Sequence, residues 1–277
     1  MIPPSFEYYR AVSVEDAVRA LAEDPGAKAL AGGQSLIPLL KLRALAPTRL
    51  VDIGRIKELK YIAAEGEALR IGALTTHREL EQGPCRILRE AASQIGDPQI
   101  RSMGTIGGSL AHADPAGDWP AVALALRASI KVRGPNGLRE VRADDFFLGP
   151  YTTALGQGEL VAEVYVPSCP STSSYVKLSR RHNDFAIAAV AAVLWIKGGV
   201  VESAGLAATG AGVKPVRLAK AESALVGKRL DERAIEEAAA AAAEEVQPIS
   251  DVRASAEYRR AVLPVVVKRA IKRAAGL

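Results

Sequence analysis

Gly104-Thr-Ile-Gly-Gly-Ser-Leu-Ala-His-Ala-Asp-Pro-Ala-Gly-Asp118 is the stretch on which the reading of this chain turns. It sets Gly107-Gly108 beside the hydroxyls of Thr105 and Ser109 and runs into a helix-like segment, Ala116 to Leu126. Paired glycines let the backbone approach a ligand closely and turn successive amides the same way, which suits a diphosphate. The same logic occurs once earlier. Ala31-Gly32-Gly33-Gln34-Ser35 follows a short apolar strand, Lys28–Ala31, and opens a helical run, Leu36–Arg43. The first amides of that helix also favour an anion. Two such loops, far apart in sequence, are expected to close on one diphosphate like two jaws.

Around them the chain reads as a sequence of short elements. Ser13-Val-Glu-Asp16 caps a helix through Ala22, and the strand Arg49–Ile53 completes a small βαβ unit around the first loop. No G-x-G-x-x-G and no Walker loop accompanies it, so a dinucleotide-fold or NTPase reading fails. Hairpins are expected at Glu65-Gly66-Glu67 and Pro135-Asn-Gly137. Thr76-His-Arg-Glu79 caps a short helix, Pro84–Ile95 reads as another, and Gly96–Met103 reads as irregular. Leu160–Val166 is a strand closed by Pro167. A Pro/Ser-rich connector, Pro167–Ser174, separates this part from three antiparallel strands, Tyr175–Leu178, Ala186–Ile196 and Val200–Ala208. Three helices follow: Arg217–Val226, Glu232–Val246 capped by Asp231, and Ser255–Ala275, which carries Pro264 and should kink there.

Composition narrows the function classes. With 277 residues, 49% of them apolar and 24% charged, the chain can bury one or two cores. Aromatics make up only 5%, so Ala, Val and Leu must do most of the packing. A net charge of +5 is compatible with nucleic acid, yet no interleaving of basic and aromatic residues supports it. Cys85 and Cys169 are too few for an iron–sulfur cluster and suggest no disulfide framework. His77, His112 and His182 lack metal-ligand spacing. His112, though inside the glycine motif, reads as a packing or loop residue, and no catalytic residue and no metal ligand is assigned. The start of the chain lacks a signal-peptide pattern, and no apolar run reaches the roughly 18 residues of a transmembrane helix. A cytoplasmic location is expected.

With the loops placed, the chain resembles the FAD-binding medium subunit of the molybdenum hydroxylases, the carbon monoxide dehydrogenase and xanthine dehydrogenase family. The motifs carrying the resemblance are Ala31-Gly-Gly-Gln-Ser-Leu-Ile-Pro38 and Thr105 to Asp118. It implies an α+β protein: a two-lobed FAD-binding domain of the vanillyl-alcohol-oxidase (PCMH) type over residues 1–170, with lobes about 1–55 and 56–170. A C-terminal domain of the carbon monoxide dehydrogenase flavoprotein type, a three-stranded antiparallel sheet plus helices, follows over 171–277. It implies FAD, with the pyrophosphate wrapped by Ala31, Gly32, Gly33, Gln34, Ser35 and Leu36 on one side and Thr105, Ile106, Gly107, Gly108 and Ser109 on the other. Asp118 inherits a contact on the ribose–adenine side, where a carboxylate accepts from hydroxyls. Ile95 and Leu160 match positions packing near the cofactor. Lys177, in Lys177-Leu-Ser-Arg-Arg-His-Asn-Asp-Phe-Ala186, matches a lysine that reaches the flavin, with Arg180 and Arg181 in a charged cluster nearby; the competing reading of Lys177 is a solvated edge-strand charge.

The resemblance also implies partners: a large molybdopterin subunit and a small [2Fe-2S] subunit, assembled as a dimer of heterotrimers that delivers electrons through FAD to an external acceptor. The thioester-reducing branch with an extra iron–sulfur cluster is disfavoured by two cysteines and no insertion. Two other functions stand beside this one. A self-contained FAD oxidase or reductase would need an acid–base pair beside the flavin, for which no candidate is found. A non-enzymatic basic binding module rests on the charge alone. The basic residues Arg259, Arg260, Lys268, Arg269, Lys272 and Arg273 of the last helix read as a solvated face.

Overall fold

The computed structural model describes residues 2–277. β1 (Glu7–Arg10) is followed by α1 (Val14–Glu23), which begins where the Ser13 side chain accepts the Asp16 amide and which buries Val14, Ala17, Val18 and Leu21. β2 (Lys28–Leu30), α2 (Leu36–Lys41) and β3 (Arg49–Asp52) complete the first lobe. Its sheet has the order β1-β3-β2 and is parallel throughout. The expected βαβ unit is present, with one strand more. β1 was not legible because Glu-Tyr-Tyr-Arg is largely exposed; it is held by backbone pairing with β3, not by an apolar pattern of its own.

The second lobe contains β4 (Ile62–Glu65), β5 (Ala68–Gly72), α3 (His77–Glu81), α4 (Arg86–Ser93), α5 (Pro98–Met103), α6 (Ile106–His112) and α7 (Asp118–Ala125). Then come β6 (Ser129–Gly134), β7 (Gly137–Arg142), α8 (Ala143–Phe146), the small pair β8 (Phe147–Gly149) and β9 (Thr152–Thr153), and β10 (Leu160–Val166). The main sheet runs β4-β5-β10-β6-β7 with antiparallel neighbours, and both expected hairpins are its outer pairs.

Past the connector, β11 (Ser173–Leu178), β12 (Ala188–Lys197), β13 (Val200–Thr209) and β14 (Val216–Arg217) form an antiparallel sheet in that order. The three long strands are those expected; β14 adds a two-residue edge. α9 (Ala219–Leu225), α10 (Glu232–Glu244) and α11 (Ala256–Ala275) cover one face. There Ala188, Val190, Ala192 and Leu194 of β12 meet Ile235, Leu263, Val267 and Ile271. The opposite face, with Ala189, Ala191 and Val193, joins the core of the second lobe around Trp119, Val122 and Leu110. β12 is therefore buried on both sides, which is why its sequence is a continuous apolar run without alternation. α7 is buried along its whole length. Its fit against β13 requires Gly205, where a Cβ would lie 2.0 Å from the Ala125 carbonyl oxygen. Small residues at this junction let helix and sheet approach closely, so a chain poor in aromatics still packs tightly.

Several expectations change. Gly96–Met103 is not irregular: Asp97 caps the Ile100 amide and Pro98 occupies the first turn of α5. Gly107 and Gly108 lie inside α6, not in a loop, because Thr105 caps that helix ahead of them. The helix expected from Ala116 begins at Asp118, and the one expected from Arg217 begins at Ala219, after β14. α11 carries Pro264 inside its span, as expected. No helix among the described residues is long and apolar enough to cross a membrane.

Candidate functional site

The first glycine segment leaves β2 and turns sharply into α2. Gly33 has φ of +72°, a conformation that favours glycine. The turn is closed by Ile37 N donating to Gly33 O at 3.0 Å and Leu39 N to Ser35 O at 3.3 Å. The amides of Gly33, Gln34, Ser35 and Leu36 have no backbone acceptor among the described residues, and the Ser35 side chain makes no cap bond. This is the cluster of unpaired donors that an anion needs.

The second segment is built differently. Ile106 N donates to Thr75 O at 3.0 Å, Gly107 N to Ala73 O at 2.9 Å, and Gly108 N to the Thr105 hydroxyl at 3.2 Å. Its amides are thus already engaged by the protein. Gly107 is required by packing, since a Cβ there would lie 2.5 Å from Ala73 Cβ. The two segments meet. A Cβ on Gly32 would lie 2.0 Å from the Met103 carbonyl oxygen and 2.9 Å from Gly104 Cα, and one on Gly108 would face Ala31 Cβ at 3.7 Å. Residues distant in sequence therefore come together as the repeat of motifs suggested, but with unequal roles: free donors in the first segment, close backbone packing in the second.

His77 lies beneath the second segment, and sequence reasoning missed it. Its amide donates to Gly104 O at 3.0 Å, and a Cβ on Gly104 would come within 2.6 Å of its Nε2. Trp119 Nε1 donates to its Nδ1 at 3.0 Å, so the neutral ring carries its proton on Nε2. Burial, with Arg101 adding to it, pushes the imidazole down to about 4. The capping box of Thr76 and Glu79 was legible; nothing in the sequence marked the residue between them as buried.

Asp118 and Lys177 depart most from expectation. Asp118, at the start of α7, is buried; Lys177 Nζ on β11 lies 3.0 Å from its Oδ1 and 3.2 Å from its Oδ2. The Tyr175 hydroxyl donates to Oδ1 at 2.5 Å, and Lys177 Nζ also donates to the Gln94 carbonyl at 2.7 Å. The lysine side chain is 3% exposed, so the reading as a solvated edge charge is wrong even though β11 is an edge strand. Asp118, expected to accept from a ligand hydroxyl, accepts here from Tyr175 and Lys177. Burial pushes its carboxyl up, against the pull of Lys177 and Tyr175, and burial with the adjacent carboxylate pushes the Tyr175 phenol well above its ordinary value. Tyr175 carried no signal beyond being one strand residue among several.

The remaining residues are less closely grouped. Ile95 is partly buried against the second lobe's core beside Gln94. Leu160 is 3% exposed inside the core under α1. Arg180 and Arg181 are exposed, and Arg180 is tied to the Val252 carbonyl at 3.1 Å. His112 contacts the Tyr151 ring at 5.1 Å between centroids, and burial pushes its imidazole down. Cys85 and Cys169, which suggested no disulfide framework, form a disulfide with Cα atoms 5.7 Å apart; the sequence separation of 84 hid a proximity that only the fold creates. A surface depression of about 570 Å³ lies between α1 and the β6–β7 turn and contains none of these site residues. No group of His, Cys, Asp and Glu able to hold a metal occurs among the described residues.

Comparison with known proteins matches both parts of the chain. Residues 4–169 match the FAD binding domain in molybdopterin dehydrogenase, and residues 173–274 the CO dehydrogenase flavoprotein C-terminal domain. The glyceraldehyde dehydrogenase medium chain of Sulfolobus acidocaldarius is 40% identical, covering 99% of this chain and 100% of that protein. The carbon monoxide dehydrogenase medium chain of Hydrogenophaga pseudoflava is 41% identical over 99% of this chain and 98% of its own length. The solved carbon monoxide dehydrogenase of that organism, in a form lacking the Mo-pyranopterin moiety of its cofactor, superposes with a TM-score of 0.96 at 43% identity, covering 100% of this chain and 99% of the other.

Proposed function

The chain belongs to the family of FAD-binding domains in molybdopterin dehydrogenases, and from that premise we propose that it is the FAD-binding electron-transfer subunit of a molybdenum-containing hydroxylase or dehydrogenase. The observation that carries the reading is the contact of the Gly32 backbone with Met103–Gly104, which closes the two glycine segments beside the unpaired amides of Gly33 to Leu36. Such amides at a helix start fit a pyrophosphate. Residues 1–170 would hold the cofactor, and 171–277 would supply Lys177 from the side.

FAD, when bound, accepts electrons and passes them on; the protein contributes binding, position and field. In the proposed site the amides of Gly33, Gln34, Ser35 and Leu36 would hold the phosphates, while Ala31 and Gly32 carry that turn against its neighbour. Thr105, Ile106, Gly107, Gly108 and Ser109 form the opposing wall, whose lack of side chains at two positions permits close approach. Lys177, its charge answered by Asp118 and the Gln94 carbonyl, would act by tying β11 to α7 and not as a free cation. Ile95 and Leu160 act through packing.

Partners follow from the same reading. On this reading substrate oxidation would belong to a large molybdopterin subunit and electron relay to a small [2Fe-2S] subunit, in a dimer of heterotrimers that passes electrons to an external acceptor. The same reading would have the complex act in the cytoplasm. The test is reconstitution. The purified chain should bind FAD near one-to-one and release it on acid precipitation. Dithionite should bleach that FAD, whereas candidate aldehydes, purines and carbon monoxide should not until the partner subunits are added. Turnover by the chain alone, free of molybdenum and iron, would sink the assignment and favour a self-contained oxidase.

A further inference from the structure

We propose that the Cys85–Cys169 pair is a thiol–disulfide exchange site, at which a dithiol reductant attacks Cys169 and expels Cys85 as the leaving thiolate. The asymmetry is built into the fold. Cys85 is 2% exposed, whereas Cys169 is partly exposed on the connector between β10 and β11, between Ser168 and Pro170. An incoming thiolate meets Cys169 before the buried Cys85.

The first sulfur is placed to leave. Cys85 is the N-cap residue of α4, its side chain makes no cap hydrogen bond, and no acidic residue lies in the first turn. The amides of Arg86, Ile87 and Leu88 have no backbone acceptor among the described residues. A thiolate released there takes the cap position, accepts from those amides and lies at the positive end of the helix. These are the conditions that lower a thiol's pKa, and a leaving thiol of lower pKa departs faster. The apolar packing around Cys85 opposes this; exclusion of reductant from Cys85 works in the same sense as the amides.

The partners stay aligned after the bond opens. Arg86 Nη1 donates to Ser171 O at 3.1 Å and Arg86 Nη2 to Arg273 O at 3.2 Å, while Glu90 Oε2 accepts from Tyr175 N at 2.9 Å. These bonds tie α4 to the connector and to β11 independently of sulfur, so the pair is poised to close again. In the exchange, the reductant's thiolate bonds to Cys169 Sγ as the Cys85–Cys169 bond breaks and the electron pair leaves on Cys85. The reductant's second thiolate then attacks its own mixed-disulfide sulfur and expels Cys169. The dithiol loses two electrons and two protons and becomes a disulfide, and the two cysteines become thiols.

The experiment exposes the oxidised full chain to limiting reduced glutathione, quenches with iodoacetamide and maps the peptides by mass. Glutathione is expected on Cys169 and the carbamidomethyl group on Cys85. Glutathione on Cys85, or shared evenly, overturns the assignment. So does a pair that stays oxidised in native protein treated with dithiothreitol, or one that is purified as two thiols and does not close with oxidised glutathione. Cys85→Ser should accumulate a stable adduct on Cys169 from oxidised glutathione, and the thiol of Cys169→Ser should be modified roughly tenfold or more slowly than that of Cys85→Ser. Equal rates would also overturn the proposal.

Discussion

Gly32→Ala separates the packing role of the first glycine segment from its donor role. A Cβ at this position would lie 2.0 Å from the Met103 carbonyl oxygen, with Met103 C at 2.8 Å and Gly104 Cα at 2.9 Å, all of them backbone. A tolerable carbon–oxygen contact is about 3.3 Å, so the two segments must part by roughly 1 Å. Backbone cannot turn away as a side chain can, and overpacking of this kind costs about 1–3 kcal/mol. That is less than the stability of an ordinary domain, so the variant should fold. If FAD requires the closed arrangement, the same strain is imposed again on binding, and affinity falls by roughly 5- to 150-fold. Flavin fluorescence titration measures the loss, and circular dichroism with a thermal melt checks the fold. Gly66→Ala is the control: its φ of +63° makes it strained, but nothing lies within 4 Å of the new Cβ, so it should lose stability without losing FAD. Binding by Gly32→Ala within about twofold of the parent would refute the closed two-segment site.

Three further outcomes can be measured on the same protein. Lys177→Met strands the buried Asp118 carboxylate and should cost about 3–5 kcal/mol in denaturant unfolding, most of it recovered in the Asp118→Asn/Lys177→Met double variant; a double variant no better than the single would deny the pairing. His77 has a folded value of about 4 against 6.5 unfolded, so the unfolded chain binds the extra proton and stability falls from about pH 6.5 down to 4, by about 3 kcal/mol in all. Glu163, pushed up by burial but pulled to about 2 by Arg70, Lys131 and Tyr61, loses its contribution only below about pH 4.5, so a curve flat between 6.5 and 4.5 would refute the His77 assignment. Reducing the disulfide frees a separation of 84 residues, about 4–5 kcal/mol on the chain-entropy account; an unchanged melting temperature in dithiothreitol would count against it.

What the sequence made legible was local. Hairpins at Gly66 and Asn136-Gly137 and caps at Ser13, Thr76 and Asp231 rest on contacts within a few residues, and each appears where expected. The glycine pairs were found for the same reason, but their division of labour was not. Whether an amide is free or engaged depends on Thr75 and Ala73 in the one case and on the absence of such neighbours in the other. Likewise β1, the disulfide and the burial of His77 depend on partners that no local pattern names. Gly96–Met103 failed differently: a single capped turn is too short to show periodicity.

The Asp118–Lys177 pair changes how the two halves of the chain relate to the proposed site. Asp118 comes from α7 of the FAD-binding part, Lys177 and Tyr175 from β11 beyond the connector, and the Gln94 carbonyl from the end of α4. α4 is bound to β11 again by Glu90 and Tyr175 and by Gln94 Nε2 to Tyr175 O at 3.4 Å. A buried charge pair spanning two domains is costly to form unless every polar atom is answered, and here the answers come from three separate elements. The C-terminal part therefore does not merely flank a finished FAD domain. It completes the polar network beneath α7, the helix that carries Trp119 onto His77 and so supports the second glycine segment. A change on β11 can reach the glycine segments through that chain of contacts without touching either of them.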